Sequence, residues 1–232
     1  MITDIFNKLF YQPLFNVLIL LYTLVPGRDF GVAVVLLTLL IRILLYPLNL
    51  KSMKSQRALS KLDPKLKEIK KKFKNDKERT AKETLELYQK EKINPFSGFL
   101  LILIQLPILF ALYKVFNRFV FVEELNLLYS FMPNPGEIKP YFLTIDLSRP
   151  HFYLALFAGI CQFFQAKAQD VRLKVETKKF GDFSKMFQKQ MLYFFPAFTF
   201  IILLKIPSAI ALYLIVSTIF SILQMLYIKK RD

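Results

Sequence analysis

The sequence is poor in the residues that most chemistry needs: of 232 residues one is cysteine, one is histidine and 17 are acidic, against 33 lysines and arginines. The lone Cys161 permits neither an internal disulfide nor a cysteine metal cluster. The lone His151 stands beside Pro150 at the edge of an apolar run, which suits an interfacial side chain better than a proton relay. H-E-x-x-H, G-x-S-x-G and P-loop motifs are missing, so the chain is expected to be no enzyme and to use no metal or other cofactor. Acids are absent from the long apolar runs. That counts against the alternative reading, a small-solute channel or transporter, which usually relies on a carboxylate or histidine within the membrane.

What is present is a pairing seldom met in soluble domains: 54% hydrophobic residues and a mean hydropathy of +0.37 beside a formal net charge of +16. The two properties are segregated. Basic residues concentrate in Met53–Lys92, Lys167–Lys189 and Lys229–Arg231. Five nearly uncharged runs alternate with them: Gly31–Leu50, Phe96–Phe116, Phe152–Ala166, Gln190–Leu204 and Ser208–Ile228. This predicts an all-α membrane protein with five transmembrane helices in one domain over residues 1–232. The basic loops are too short to fold as a nucleic-acid-binding domain, so no direct nucleic-acid substrate is expected. Phe152–Ala166 and Gln190–Leu204 are short for a hydrocarbon core of about 30 Å, which implies polar extensions or a thinned bilayer. An earlier stretch, Ile5–Pro26, is interrupted by Asn7, Lys8, Gln12, Pro13 and Asn16. It is expected to be an interfacial amphipathic helix closed by the turn at Pro26-Gly27.

Lys51–Lys92 carries fifteen basic residues and Lys167–Lys189 seven, against very few in the loop Asn117–Pro150. The basic loops and the C-terminus are therefore expected in the cytoplasm and the N-terminus outside. Within the first basic loop Leu59, Leu62, Leu66, Ile69 and Phe73 recur at spacings of three and four, and Ala81, Leu85 and Tyr88 follow past a break at Asn75-Asp76. That spacing predicts a cytoplasmic helical hairpin over Met53–Lys92 with a polar outer face. Lys65, Lys70, Lys71 and Lys72, with Lys178 and Lys179 in the second loop, are candidate docking positions for cytoplasmic machinery and membrane lipids.

Arg42 is the sharpest clue, since it lies about twelve residues into the first apolar run. A guanidinium at that depth costs on the order of 3 kcal/mol by insertion scales unless water or a partner receives it. The apolar runs supply no carboxylate, but they do supply Thr38, Gln105, Gln162, Gln165, Tyr213, Ser217 and Thr218. Together with Arg42 these residues point to a hydrated cavity among the helices.

Several motifs stand in a fixed order: QPLF at Gln12–Phe15, LLIRILLYPL at Leu39–Leu48 and DPKLKEIKKKF at Asp63–Phe73. They are followed by LYQKEKINPFSGFLLILIQLPILFALY at Leu87–Tyr113 and FPAFTFIILLKIPSAIALYLIVSTIFSILQ at Phe195–Gln224. In these motifs the chain resembles the YidC/Oxa-type membrane protein insertases, in the short form without a large extracytoplasmic domain. The resemblance implies a bacterial inner-membrane insertase and chaperone, with five helices around a hydrophilic groove open to cytoplasm and lipid. Arg42 takes the family's groove-arginine position, where it would attract acidic segments of nascent membrane proteins. By the same resemblance the hairpin and second loop would meet ribosomes, the signal recognition particle receptor and the Sec translocon.

Overall fold

The computed structural model describes residues 2–74, 76–94, 97–118, 126–170 and 190–231. They are mostly helical; Pro13, Pro47 and Pro196 stand at wide turns or breaks, while Pro64 and Pro107 lie inside helices. Helix α1 runs through Ile2–Phe6, a π-helical turn at Asn7–Tyr11 and Gln12–Leu24. The wide turn sits just before Pro13, whose missing N–H and bulky ring cannot continue the regular ladder. Helix α2, Phe30–Leu44, starts on Asp29, whose Oδ1 accepts from the Val32 N–H at 2.9 Å. It ends just before Tyr46-Pro47. Helix α3, Tyr46–Lys72, then leaves at an angle, with a bend of 57° between Phe30–Leu44 and Tyr46–Ser55. The expected straight run Gly31–Leu50 is thus an elbow, and α3 carries the chain unbroken into the hairpin.

Beyond it come α4, Lys77–Lys90; α5, Ser97–Arg118; and a two-stranded antiparallel ribbon, β1 Tyr141–Phe142 with β2 Ile145–Asp146. Helix α6 spans Phe152–Asp170, longer than the expected Phe152–Ala166 and about 28 Å by helical rise. Helix α7 consists of a π-helical turn, Gln190–Phe194, and Phe195–Leu203, the wide turn again just ahead of a proline, Pro196. Helix α8 covers Ser208–Arg231. By length and apolarity Thr3–Leu24 and Ser208–Ile228 can each cross a membrane, and the bent pair makes a third such segment. Leu103–Asn117, Phe152–Ala168 and Leu192–Leu203 are shorter apolar helices.

The segment from Asn126 to His151 meets α1 and one end each of α2, α6 and α8, with the end of α5 beside it. Leu143 N–H donates to Asp29 Oδ2 at the start of α2, and Gly31 lets Phe142 press onto that helix so closely that a Cβ would overlap its ring. Ser208 and Ala209 N–H, the first of α8, donate to the carbonyls of Arg149 and Leu147. Phe116, near the end of α5, meets the Phe30 ring edge-on at 6.3 Å. Helix α6 follows His151 directly, and only four residues join α7 to α8. Helix α1 lies along the same cap: Gln12 and Asn16 amides donate to Leu127 O, Asn16 Oδ1 accepts from Tyr129 N–H, and Tyr22 Oη accepts from Lys139 N–H.

The burial pattern is that of a protein in lipid. Leu36, Leu40 and Ile43 of α2, Leu103, Leu106 and Phe110 of α5, and Phe157, Ile160 and Phe164 of α6 face outward. Thr38, Asn49, Ser52, Ser217, Thr218, Ser221 and Gln224 are buried. Such an exposed apolar surface would be unfavourable in water but is neutral against acyl chains. The chain is a membrane protein.

In the hairpin α3 turns Leu62 fully inward and half-buries Leu59, Leu66, Ile69 and Phe73, as their spacing requires. Helix α4 differs from expectation, because Ala81 and Leu85 are exposed. Thr80 Oγ1 donates to Phe73 O across the turn, and Lys65 Nζ meets Glu91 Oε1 at 2.6 Å. Those two ties set the inward face along Thr80, Thr84, Leu87 and Tyr88, so Tyr88 faces inward as its spacing requires while Ala81 and Leu85 turn outward.

Candidate functional site

Arg42 lies a little over three turns into α2, about 18 Å from its Phe30 end. Its Nε donates to Ser217 Oγ on α8 at 2.9 Å. Among the described residues this is its one hydrogen bond, so both Nη groups of the half-buried guanidinium stay open to a further acceptor. Ser221 Oγ donates to Ser217 O at 2.9 Å, and Thr38 Oγ1 to Val34 O at 2.6 Å, each satisfying its own hydroxyl along its helix. Thr218 is buried one residue on from Ser217.

Polar residues recur on matched faces of the two strands of this site. On α8 they are Tyr213, Ser217, Ser221 and Gln224; on α2 and α3 they are Thr38, Arg42, Asn49 and Ser52. Spacings of three and four place Tyr213, Ser217, Ser221 and Gln224 on one side of α8, Thr38 with Arg42 on one side of α2, and Asn49 with Ser52 on one side of α3. Ser221 was missed by sequence reasoning although the spacing from Ser217 leads to it, and Asn49 and Ser52 lie beyond the elbow, where spacing from Arg42 does not carry. Below Arg42 the 57° elbow swings α3 towards α5, with which it packs, while α8 continues straight. Asn49 Nδ2 and Gln224 Nε2 are buried without a hydrogen-bond partner among the described residues.

The remaining candidates divide. Gln105 Nε2 of α5 donates to Tyr213 Oη of α8, a link between two helices that otherwise touch little. Gln162 and Gln165 are half-buried on α6, and no hydrogen bond ties either to Arg42 or Ser217. Lys65 is held by Glu91, whose carboxyl the nearby ammonium keeps below the usual carboxylate range. Lys70, Lys71 and Lys72 are exposed at the end of α3, with Lys72 Nζ 5.4 Å from the Phe73 ring centre. Lys178 and Lys179 lie outside the described residues.

Residues 20–232 match the family model of the 60Kd inner membrane protein. The chain belongs to this family, that of the YidC insertases. A relative from Fusobacterium nucleatum subsp. nucleatum, named membrane protein insertase YidC, is 33% identical over 203 residues, 88% of this chain and 87% of its own length. A second of that name, from Oceanobacillus iheyensis, is 32% identical over 231 residues, 97% of this chain and 84% of its own. A third, from Syntrophus aciditrophicus, is 37% identical over 225 residues, 95% of this chain but 36% of its own. The chain therefore spans most of two of these relatives and about a third of the other. Family membership and the outward apolar faces together make it a multi-pass protein of the inner-membrane type. In a YidC-family chain the polar strip between α2 and α8 is the feature that its apolar surroundings least explain.

Proposed function

We propose that the chain is a membrane protein insertase and chaperone that receives nascent membrane proteins in a groove between α2, α5 and α8. The observation that carries this reading is the guanidinium of Arg42, half-buried between apolar-faced helices and, among the described residues, bonded only through Nε to Ser217. Translocating a short polar tail is opposed mainly by desolvation, and a hydrated cleft that reaches partway across shortens the dry path. The two free Nη groups match a client carboxylate, which accepts a guanidinium fork. One hydrated arginine gives a contact strong enough to recruit and weak enough to release. Thr38, Tyr213, Ser217 and Thr218 would line the groove, Gln105 its lateral edge, and Gln162 and Gln165 its far wall on α6.

Five crossings by α2, α5, α6, α7 and α8 account for the gathering of their ends at one cap, with the N-terminus outside and the C-terminus in the cytoplasm. Helix α1 is long enough to cross, but its contacts from Gln12 to Tyr22 run along the cap, which supports an interfacial placement. Sparse contact between α5 and α8 supports an exit to lipid there. Exposed Lys70, Lys71 and Lys72 suit docking to a ribosome, receptor or translocon, or to anionic headgroups.

Reconstitution tests the reading. A small client with an acidic N-tail should become protected from protease in vesicles containing this protein and not in empty ones; equal protection in both would remove insertion as its function.

A further inference from the structure

A second cleft lies on the outward face of α6, away from the polar strip between α2 and α8. It has a volume of about 420 Å³ and is lined by Ile145 of β2, by His151 and, on α6, by Tyr153, Leu156, Phe157 and Ile160. Spacings of three and four keep these α6 side chains on one face, where all of them are exposed, and Phe164 extends the same face. From Tyr153 to Phe164 the apolar strip is about 16 Å long by helical rise, close to half of the ~30 Å hydrocarbon core. It therefore runs the depth of one leaflet.

The mouth of this cleft, at the cap, supplies donors and positive charge. The Arg149 side chain, two residues before His151, is 83% exposed; its Nε stands 3.5 Å from Asp146 Oδ2, long for a hydrogen bond, so the guanidinium fork remains for a second acceptor. Asp146 Oδ1 already accepts from the Ser148 N–H and hydroxyl. His151 Nδ1 accepts from Leu154 N–H at 3.4 Å, which leaves Nε2–H as a donor without a partner among the described residues. Exposed Lys205 adds positive charge to the same end of the bundle, because the Ser208 N–H bond to Arg149 O holds the α7–α8 link beside Arg149. An apolar strip one leaflet deep with cations at one end only matches an acyl chain under a phosphate, and a partner helix would have no use for that asymmetry. We propose that this cleft holds a phospholipid of net negative charge, one acyl chain lying along Tyr153 to Phe164 and the phosphate against Arg149 and His151. The site depends on the membrane location of the chain and not on insertion.

The sequence contains no tryptophan, so Tyr153→Trp provides a single reporter in the cleft, and lipids with brominated acyl chains quench it on contact. In mixed vesicles brominated phosphatidylglycerol should outcompete brominated phosphatidylcholine at the reporter by about fivefold, the modest size expected of one exposed arginine contact. Arg149→Gln should bring the two headgroups level with helix content unchanged. Arg149→Lys, which keeps the charge, should retain most of the preference.

Equal quenching by both headgroups, or a preference that survives Arg149→Gln, overturns the proposal. The same preference at Leu36→Trp, a reporter on the lipid face of α2, also overturns it, because that marks general enrichment of anionic lipid around a chain of net charge +16. Quenching that falls as the protein content of the vesicles rises places a second copy in the cleft and removes the lipid. Inorganic phosphate should leave the preference unchanged; if it abolishes the preference, the mouth binds free phosphate and the lipid assignment fails.

Discussion

Arg42 separates charge from shape at the scale of a residue. Arg42→Lys keeps the charge but loses the planar fork, Arg42→Ala loses both, and Arg42→Glu reverses the sign. Insertion of an acidic-tailed client should fall only modestly with Lys, by about tenfold with Ala, and further with Glu, since one charge-assisted contact is worth about that factor. Exchanging the client's acids for lysines should partly restore Arg42→Glu. Equal rates for all three variants at equal membrane levels would reduce Arg42 to a hydrated structural side chain. Gly31 is the residue where space decides: its missing Cβ admits Phe142. Gly31→Ala should lift the ribbon from α2 and destabilise the cap by about 1–3 kcal/mol, an overpacking cost readable in thermal unfolding. Arg42 was legible in the sequence because a charge inside an apolar run cannot be overlooked. Gly31 was not, because its neighbour Phe142 is more than a hundred residues distant in the chain.

Among elements, the hairpin is where local spacing succeeded and failed side by side. The first helix buries Leu62 and half-buries its expected partners because apolar residues there have only one place to go. The second places Tyr88 inward as expected but exposes Ala81 and Leu85. Its inward face is set by the Thr80 hydroxyl on Phe73 O and by the Lys65–Glu91 pair, polar contacts that an apolar periodicity does not register. The depressed carboxyl of Glu91 also gives the hairpin a pH dependence of known sign. A carboxylate whose folded pKa is lowered contributes its stability above the unfolded pKa and loses it as pH falls through the folded value. Spin labels on exposed positions of α3 and α4 should therefore report a closed hairpin at neutral pH and a broader distance distribution near about pH 3, below the ordinary carboxylate range. Glu91→Gln should be broad at both. The effect should be small, as for any exposed pair, and no difference between the wild-type and Gln chains would dismiss the pair as a fastener. The elbow between α2 and α3 was likewise written in the sequence as Tyr46-Pro47, but a run of twenty apolar residues reads as one straight segment unless the proline is given priority.

At the scale of the whole molecule, segregation of charge and hydropathy announced a multi-spanning protein before any contact was known. It could not announce the convergence of helix ends on Asn126–His151, because that depends on hydrogen bonds between residues far apart in sequence. The proposed topology can be checked directly, since Cys161 is buried and leaves a quiet background. Cysteines placed singly at exposed Asn134, Thr144 and Glu86 should react with an impermeant reagent added to intact cells at the first two and not at the third. Labelling of Glu86→Cys from outside would reverse the orientation and close the groove to the cytoplasm.

The bonds from Ser208 and Ala209 to Arg149 and Leu147 also impose an order in time. The carbonyls that receive them are synthesised some sixty residues before the amides that fill them. Until α8 arrives, those two carbonyls lack the amides of its first turn and the cleft behind the cap has no α8 to line it. A chain made only as far as α7 is thus an open scaffold, and α8 fills these carbonyls and lines the proposed groove when it docks. An insertase with the proposed groove cannot hold a client there, its own unfinished copies included, before α8 has been made and has docked.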